Sequence, residues 1–399
     1  MKKLLLLGGS MYLMPAIEAA HHLGVYVVTC DYLPDNYAHR YSDEYRNVSI
    51  IDHNGVLTLA KELHIDGIMS YATDPGVECA AWVAEQLGLP TNPYKSVSIL
   101  QNKGKFRNFL KKHGFNVPWS KVYRVKRQAL MEGNGFVYPV MVKPTDSAGS
   151  KGVTKVEDVM ELDSAIDAAL SHSIENAFIV EQYLEKAGNS TDSESFSING
   201  ELVFCSLNDQ MFDLKAGNPY VPAAYIWPSS LSDRVCKELR SELQRLLRLL
   251  RMETSIYNVE ARLAVDGKAY LMEVAPRAGG NRLAEVLKLA TGQDLSMAAV
   301  KAALGMPIEK ITNPVYNGHW GEVILHSDKA GKFLGLSMSD EIKPYIHECR
   351  LIVKVGDMVR DFQGANEMIG SLILRCNSKE QIKEFIGQID EYIHVNIEE

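Results

Sequence analysis

Short apolar runs alternate with segments of helical periodicity along residues 1–95. The predicted strands cover residues 3–7, 25–29 and 67–71, and the predicted helices cover residues 12–23, 54–63 and 75–87. After Lys3 the first strand consists only of leucine, which suits a parallel strand that is covered on both faces. Gly24 and Gly88 follow two of the helices and are typical helix-ending residues. This alternation predicts an open parallel α/β sheet.

The hydrophobic pattern becomes mixed after residue 95. One helix is predicted over residues 96–113, and a loop of small residues with the sequence PTDSAGSKG occupies residues 144–152. Around that loop, strands are predicted at 120–125, 137–143 and 177–182, and a helix at 157–170. The turn signals Asn199-Gly200 and Asp266-Gly267 predict antiparallel hairpins within residues 194–207 and 257–274. The chain therefore combines α/β and α+β organisation.

A strongly amphipathic helix is predicted between the two hairpins, at residues 233–252. Its leucines fall on one face, and its arginines alternate with glutamates on the other, which is typical of a solvated helix face. The tail shows strand-like runs at 321–326, 350–355 and 370–375 and a helix at 378–389. The predicted division is 1–95 (α/β domain), 96–120 (linking helix), 121–185 (small subdomain), 186–310 (large subdomain) and 311–399 (α+β extension).

Composition narrows the classes of function. A formal net charge of -8 argues against a generic nucleic-acid binder, which is usually basic. Six cysteines without a CxxC pair fit reduced thiols better than a zinc site or a disulfide framework. The apolar run after Met1 is short and is broken by Gly8, and no run approaches the roughly 18–20 apolar residues of a membrane span. We therefore expect a cytoplasmic protein without membrane or nucleic-acid partners.

Four local patterns follow one another in the chain. Lys103 begins a predicted helix, and Lys143 ends an apolar strand directly before the small-residue loop. The apolar strand at 178–182 runs into a carboxylate at Glu181. Glu260 and Glu273 lie on two strands of one hairpin, and the sequence PRAGG follows. Each pattern alone has an ordinary explanation, such as a surface lysine or exposed cross-strand neighbours.

Together the four patterns suit the binding of a nucleoside triphosphate. Lys103 and Lys143 supply cations for phosphates, and a small-residue loop lets backbone N–H groups approach them closely. The strand edge near Glu181 would read the adenine through backbone atoms. Mg²⁺ usually takes one or two carboxylates plus phosphate oxygens and water, which fits Glu260 and Glu273. Arg277, in the segment that follows, would stabilise charge on the transferring phosphoryl group.

In these motifs the chain resembles the ATP-grasp superfamily over roughly residues 1–310. The run YPVMVKPTDSAGSKGVTKV (138–156) resembles the phosphate lysine and glycine-rich lid, and VEQYLE (180–185) resembles the adenine hinge. The run NVEARLAVDGKAYLMEVAPRAGGNR (258–282) resembles the metal-binding hairpin and the segment after it. Residues 1–95 look like the domain that precedes the ATP-grasp fold in biotin carboxylase, the carbamoyl-phosphate synthetase large chain and purine-pathway ligases.

The resemblance implies a role for each matching residue. Lys103 and Lys143 would contact ATP phosphates, Glu194 would hold the ribose hydroxyls, and Glu260 and Glu273 would bind Mg²⁺, with Mn²⁺ as an alternative ion. Arg277 would contact the γ-phosphate or an acyl phosphate. The remaining implied ATP contacts are Ser147, Gly149, Ser150 and Gly152 of the lid and Glu181, Gln182 and Leu184 of the hinge.

Three positions keep more than one interpretation. Many members of the superfamily carry asparagine where this chain has Ala275, which leaves the number of bound metal ions open. Arg282 is either a clamp for a substrate carboxylate or part of a structural salt bridge. Asp74 is either a helix cap or a substrate contact. The turn at Gly8-Gly9 lies where open α/β sheets bind ligands and would hold part of the substrate.

The predicted activity is ATP-dependent joining of a small carboxylate to an amine, or to a thiol, through an acyl phosphate. Activation of bicarbonate is the second interpretation. It is weakened because the sequence shows a single ATP-grasp unit and neither a biotin-attachment segment nor a glutaminase half. Non-catalytic ATP binding is the third, and retention of Lys103, Lys143, both glutamates and Arg277 argues against it. Related enzymes often form dimers, so a homodimer is a family-level expectation.

Overall fold

The protein is described by a computed structural model that covers residues 1–147 and 149–398. Its backbone contacts divide the chain into two compact units. The first unit contains Met1–Val122, Ser193–Ser206 and Ser232–Pro314, and the second contains Tyr123–Asp192, Leu207–Leu231 and the chain from Val315 onward. The five-part division of the sequence stays a prediction beside these two units.

The first unit begins with a four-stranded parallel sheet in the order β3-β2-β1-β4. The strands are β1 (Lys3–Leu7), β2 (Tyr26–Cys30), β3 (Glu44–Arg46) and β4 (Gly67–Met69). The helices are α1 (Met14–His22), α2 (His53–Leu63) and α3 (Asp74–Leu87). All four leucines of β1 are fully buried, as expected for a parallel strand covered on both faces. The predicted open parallel sheet is confirmed.

The prediction of one continuous helix over residues 96–113 is wrong, because the structure contains two helices there. They are α4 (Tyr94–Gln101) and α5 (Lys103–Lys112). Asn102 has an extended backbone, with φ -115° and ψ 115°, and its side chain accepts a hydrogen bond from the Lys105 amide. An asparagine N-cap therefore starts a second helix at Lys103.

The first unit also contains a four-stranded antiparallel sheet in the order β10-β9-β13-β14. The strands are β9 (Thr191–Ile198), β10 (Glu201–Cys205), β13 (Ser255–Leu263) and β14 (Ala269–Ala275), and the helices of this part are α8 (Asp233–Leu249), α9 (Leu283–Thr291) and α10 (Leu295–Ala303). Asn199 and Gly200 both have positive φ, 51° and 80°, as a two-residue hairpin turn requires. The leucine face of α8 is buried and packs on β10 and β14.

Strands β6, β7 and β8 of the second unit belong to a sheet in the order β5-β8-β6-β7, which has two helices beside it. The elements are β5 (Ser120–Tyr123), α6 (Lys126–Glu132), β6 (Val140–Pro144), β7 (Thr154–Val156), α7 (Leu162–Ser171) and β8 (Phe178–Gln182). Val140, Val142, Phe178 and Val180 are buried in one core with the apolar side of α7. The end of β6 therefore carries Lys143 out of a rigid core.

The tail completes the second unit with two further sheets. One has the order β11-β12-β15-β19-β17, and the other has the order β18-β16-β20. The elements are β11 (Asp209–Phe212), β12 (Pro222–Trp227), β15 (His319–Leu325), β16 (Gly331–Met338), β17 (Ile346–Leu351), β18 (Met358–Val359), β19 (Gly370–Cys376), α11 (Lys379–Gly387), α12 (Ile389–Tyr392) and β20 (Ile393–Glu398). The strand predicted at 350–355 is shifted, since β17 ends at Leu351. Among the residues covered by the structure, no helix is both long and apolar enough to span a bilayer.

Candidate active site

Two carboxylates lie directly opposite each other on the β13–β14 hairpin. Glu260 and Glu273 are cross-strand partners, and a β-bulge follows Glu260. Residues in such a pair have Cβ atoms about 4.5–5.5 Å apart on the same face of the sheet, and like charges there are destabilising. Both side chains are about one-third exposed, at 33% and 35%. A hairpin that holds two accessible carboxylates together is suited to a divalent cation.

Basic groups flank this carboxylate pair. Lys103 Nζ lies 3.4 Å from Glu273 Oε2, and Arg262 Nη2 lies 3.6 Å from Glu260 Oε1. Lys103 reaches the pair because the Asn102 cap starts α5 at that residue. The structure therefore brings together three residues that the sequence predicts for phosphate and metal binding. It also adds Arg262, which the sequence reasoning missed although it follows Glu260 by two residues.

Asn258 lies on the same face of the hairpin as the two glutamates. It is the cross-strand partner of Ala275, and it precedes Glu260 by two residues within β13. A side-chain amide oxygen is a normal ligand for hard cations. The asparagine that many superfamily members carry at position 275 is thus matched here by an asparagine on the opposite strand. Side chains two residues apart on a strand lie on the same face, so the spacing of Asn258 and Glu260 in the sequence could have identified this asparagine.

Arg277 is held by Asp74 inside the first unit. The Arg277 Nε and Nη2 groups donate to the two carboxylate oxygens of Asp74 at 2.8 and 2.7 Å, and Nη1 donates to the Ala278 carbonyl at 2.7 Å. The side chains of Arg277 and Asp74 are only 10% and 19% exposed. This bidentate pair fixes the plane of the guanidinium. Asp74 therefore does more than begin α3.

Arg282 and Glu194 are both engaged by neighbours in the first unit. The Arg282 guanidinium contacts the Glu285 carboxylate at 3.1–3.2 Å, so a salt bridge is present, and the role of this arginine as a clamp for a substrate carboxylate stays a proposal. Asn281 and Arg282 have positive φ, 52° and 60°, a strained backbone for residues other than glycine. Glu194 is fully buried and accepts a hydrogen bond from the Gly279 amide at 2.7 Å. Glu194 thus braces the segment that carries Arg277.

In the second unit, Lys143 forms an ion pair with Glu181. The two residues lie on the adjacent strands β6 and β8, and the Glu181 side chain is 2% exposed. Gln182 is exposed, whereas Leu184 is buried. Lys155 lies 4.5 Å from the centre of the Tyr183 ring, beside this strand end. The structure thus places the predicted phosphate lysine and the predicted hinge in one cluster.

The loop after β6 contains a run of left-handed backbone. Gly149, Ser150 and Gly152 have φ values of 69°, 59° and 68°. Such turns orient successive amides toward a common point and can bind anions. The Ser150 hydroxyl donates to the Tyr220 carbonyl at 3.0 Å, and Ser147 precedes Ala148, the loop residue that lies outside the described part of the chain. A Cβ on Gly152 would lie 2.8 Å from the Ala168 carbonyl, so this glycine also has a packing role.

The turn after β1 has a structural explanation. A Cβ on Gly8 would lie 2.8 Å from the Thr73 hydroxyl, and a Cβ on Gly9 would lie 2.6 Å from His39 Nε2. His39 contacts the Thr29 hydroxyl at 2.9 Å and the Leu33 carbonyl at 3.1 Å, and burial lowers its pKa. These glycines let the 36–39 segment pack against the end of β1. Their predicted contact with substrate stays a proposal.

Comparison with known proteins identifies a family over part of the chain. Residues 136–285 match the family described as the ATP-grasp domain. The chain is 26% identical over 260 residues to the carbamoyl phosphate synthase large chain of Pseudothermotoga lettingae. That alignment covers 64% of this chain and 23% of the relative, so the chain spans about a quarter of the length of that protein.

Solved structures resemble the chain along nearly its whole length. The L-amino acid ligase from Bacillus licheniformis gives a TM-score of 0.83 at 22% identity and covers 100% of this chain and 99% of that one. The biotin carboxylase domain dimer of the Hydrogenobacter thermophilus 2-oxoglutarate carboxylase, in complex with MgADP, ADP and bicarbonate, gives 0.75 at 16% identity, with 99% and 91% covered. At these identities the likeness establishes the fold.

Proposed function

Residues 136–285 match the ATP-grasp domain, and from that premise we propose that the chain is an ATP-dependent ligase that joins a carboxylate to an amine. The observation that carries the proposal is the placement of Glu260 opposite Glu273, with Lys103 beside the pair. Two like charges held together at a cost in stability call for a function, and a metal–phosphate complex supplies one.

We propose that ATP is the co-substrate and that both lysines contact its phosphates. Lys143 extends from a rigid strand end, and the loop residues Ser147, Gly149, Ser150 and Gly152 would cover the phosphates with their amides. Glu181, Gln182 and Leu184 would contact adenine, mainly through the backbone. Glu194 would contact the ribose. Its buried bond to the Gly279 amide supports an additional positioning role for this residue.

The hairpin fits Mg²⁺ or Mn²⁺. Glu260 and Glu273 would hold the ion, and Asn258 is placed to add a neutral oxygen. The ion would take its other ligands from phosphate oxygens and water, as Mg²⁺ commonly does. When bound, the ion would neutralise charge on the β- and γ-phosphates.

The proposed reaction has two steps. A carboxylate oxygen of the substrate attacks the γ-phosphorus, the bond to the β-phosphate oxygen breaks, and ADP and an acyl phosphate form. The neutral amine then attacks the acyl carbon, phosphate leaves, and the amine nitrogen loses a proton. Arg277, oriented by Asp74, would stabilise charge on the transferring phosphoryl group. Arg282 would clamp a substrate carboxylate, and its ion pair with Glu285 would orient it.

Bicarbonate activation is the second candidate function. The similarity to a carbamoyl phosphate synthase large chain supports it, as does the bicarbonate named in the complex of the carboxylase neighbour. The same groups would serve, because bicarbonate is also a carboxylate that attacks the γ-phosphorus. ADP formation that depends on bicarbonate and needs no other carboxylate would favour this candidate.

A phosphate-release screen tests the proposal. Pools of small carboxylates and amino acids would be assayed with Mg-ATP, using Lys143→Ala and Glu273→Ala as site controls. We expect phosphate release that requires one carboxylate and one amine together and that is lost in both variants. ATP binding without release in any pool, or full turnover by either variant, would contradict the proposal.

We also propose a cytoplasmic homodimer, consistent with reduced thiols and with the dimeric carboxylase neighbour.

A further inference from the structure

In the second unit, strand β17 forms an exposed sheet edge. Strand β17 is the last strand of the order β11-β12-β15-β19-β17 and pairs with β19 on one side. On its other side no strand pairs with it anywhere in residues 1–147 and 149–398. Cys349, Arg350, Leu351 and Ile352 are exposed in succession. Such an edge is a template for another strand, and natural proteins usually cover or blunt it.

The charges on β17 are complementary to themselves under a two-fold rotation. Glu348 and Arg350 flank Cys349 and form an ion pair of 3.1 Å within the chain. If two copies of β17 pair antiparallel about an axis at Cys349, Glu348 of each copy lies opposite the partner's Arg350. Opposite charges at directly facing positions stabilise a strand pair, and a two-fold interface requires this self-complementarity.

The backbone direction suits the same register. The Ile352 amide donates to the Ile369 carbonyl at 2.9 Å, so it points toward β19. With a period of two, the amides of Cys349 and Leu351 point away from β19. The two Cys349 residues on the axis would then exchange N–H···O bonds, with Cα atoms about 5.5 Å apart. Leu351 and Ile352, each 41% exposed, would add apolar contacts beside this pair.

We infer that β17 pairs with β17 of a second copy of this chain, so that two five-stranded sheets join into one. The other Glu-x-Arg edge strand, β3 with Glu44 and Arg46, is only three residues long and is half-buried throughout. It therefore offers no comparable edge. The inference uses no residue of the proposed active site, so it stands or fails separately from the ligase activity.

Charge reversal tests the register directly. We expect sedimentation velocity to give a dimer for the wild type at about 1–100 µM. Glu348→Arg and Arg350→Glu should each raise the dimer dissociation constant by about tenfold or more, because each places like charges opposite each other. The double swap E348R/R350E should restore the dimer, and an equal mixture of the two single variants should form a heterodimer. Glu44→Arg is the matched control and should leave the dimer intact.

Cross-linking tests the position of the axis. Oxidation by copper phenanthroline and dioxygen, which removes two electrons and two protons from a pair of thiols, should join two wild-type chains through Cys349. The predicted Cα separation lies within the range of a disulfide. Cys349→Ser should remove the cross-link, and Cys236→Ser should not. A wild-type monomer at every concentration, as expected if another protein or water covers the edge, would overturn the inference, and so would a dimer that both charge reversals leave intact.

Discussion

Asp74 holds Arg277 with both carboxylate oxygens, through N···O distances of 2.8 and 2.7 Å. No local pattern in the sequence pairs two residues that lie 203 positions apart, and from the sequence Asp74 is either a helix cap or a substrate contact. In the structure the Thr73 side chain makes no cap bond, and Asp74 is the first residue of α3. The pair fixes the orientation of the arginine that we propose as the phosphoryl clamp.

Asp74→Asn is expected to lower kcat by up to about 10²-fold while the KM for ATP changes little, because a misoriented clamp fails mainly in the transition state. Asp74→Glu should recover part of the loss, since it keeps the carboxylate. Steady-state kinetics at saturating ATP measures both. The surface variant Glu62→Gln is the control. A rise in the KM for the amine or the carboxylate with kcat unchanged would instead make Asp74 a substrate contact.

Glu260→Gln and Glu273→Gln are each expected to weaken Mn²⁺ binding by at least about tenfold in the presence of a non-hydrolysable ATP analogue, since each removes a proposed ligand. Electron paramagnetic resonance of free Mn²⁺ measures this without turnover. In the absence of metal, Glu260→Gln should leave the free energy of unfolding unchanged or raise it by about 0.2–1 kcal/mol, because a like-charge pair is relieved. Glu201→Gln, on β10 of the same sheet, is the control. Wild-type Mn²⁺ affinity in both variants would refute the metal assignment.

Lys143→Ala is expected to abolish phosphate release and also to lower the free energy of unfolding by on the order of 2 kcal/mol. The stability loss arises because the variant strips the buried Glu181 carboxylate of its ion-pair partner. The double variant K143A/E181Q should regain most of that stability but no activity. Urea denaturation of the wild type and both variants checks this. Equal instability of the single and double variants would show that Lys143 stabilises the fold in another way.

His39 is expected to make the first unit less stable in mild acid. Burial lowers the pKa of His39 below the ordinary value of about 6.5, although the Leu33 carbonyl acts in the opposite direction. The unfolded chain then binds a proton more readily than the folded chain does. The contribution of neutral His39 to the free energy of unfolding is therefore complete above about pH 6.5. It is lost as the pH falls through the lower pKa of the folded state. Thermal melts at pH 7.5 and 5.5 should show a smaller drop in Tm for His39→Gln than for the wild type or His22→Gln.

The sequence predicted the elements that local patterns determine. The all-leucine strand β1, the Asn199-Gly200 turn and the leucine face of α8 follow from burial, turn geometry and helical period, and all three are present. Both glutamates were predicted on one hairpin, but their direct opposition was not. The register from the turn sets Ala261 opposite Leu271, and the β-bulge after Glu260 is what brings Glu273, rather than Met272, opposite Glu260. The local pattern gave a wrong prediction at Asn102. The helical periodicity continues through this residue, but its side chain caps a new helix and interrupts the single helix that was predicted.

What the sequence could not predict depends on long-range pairing. Ion-pair partners depend on tertiary packing or on the rotamer that a side chain adopts in the folded protein. This applies to Asp74 with Arg277, Glu181 with Lys143 and Glu285 with Arg282. The strands of the tail between residues 331 and 338 and beyond residue 392 were also missed. Their side chains complete a core whose other members lie far away in sequence, so no local window contains the signal.

The transfer of oxygen-18 tests the central claim most directly. The carboxylate substrate found by the screen would be labelled with oxygen-18 and turned over with ATP and amine, and the released phosphate would be examined by phosphorus NMR. Formation of an acyl phosphate predicts one labelled oxygen in each phosphate, since the attacking carboxylate oxygen stays on phosphorus when the amine displaces it. Unlabelled phosphate, or label recovered in AMP, would contradict the account.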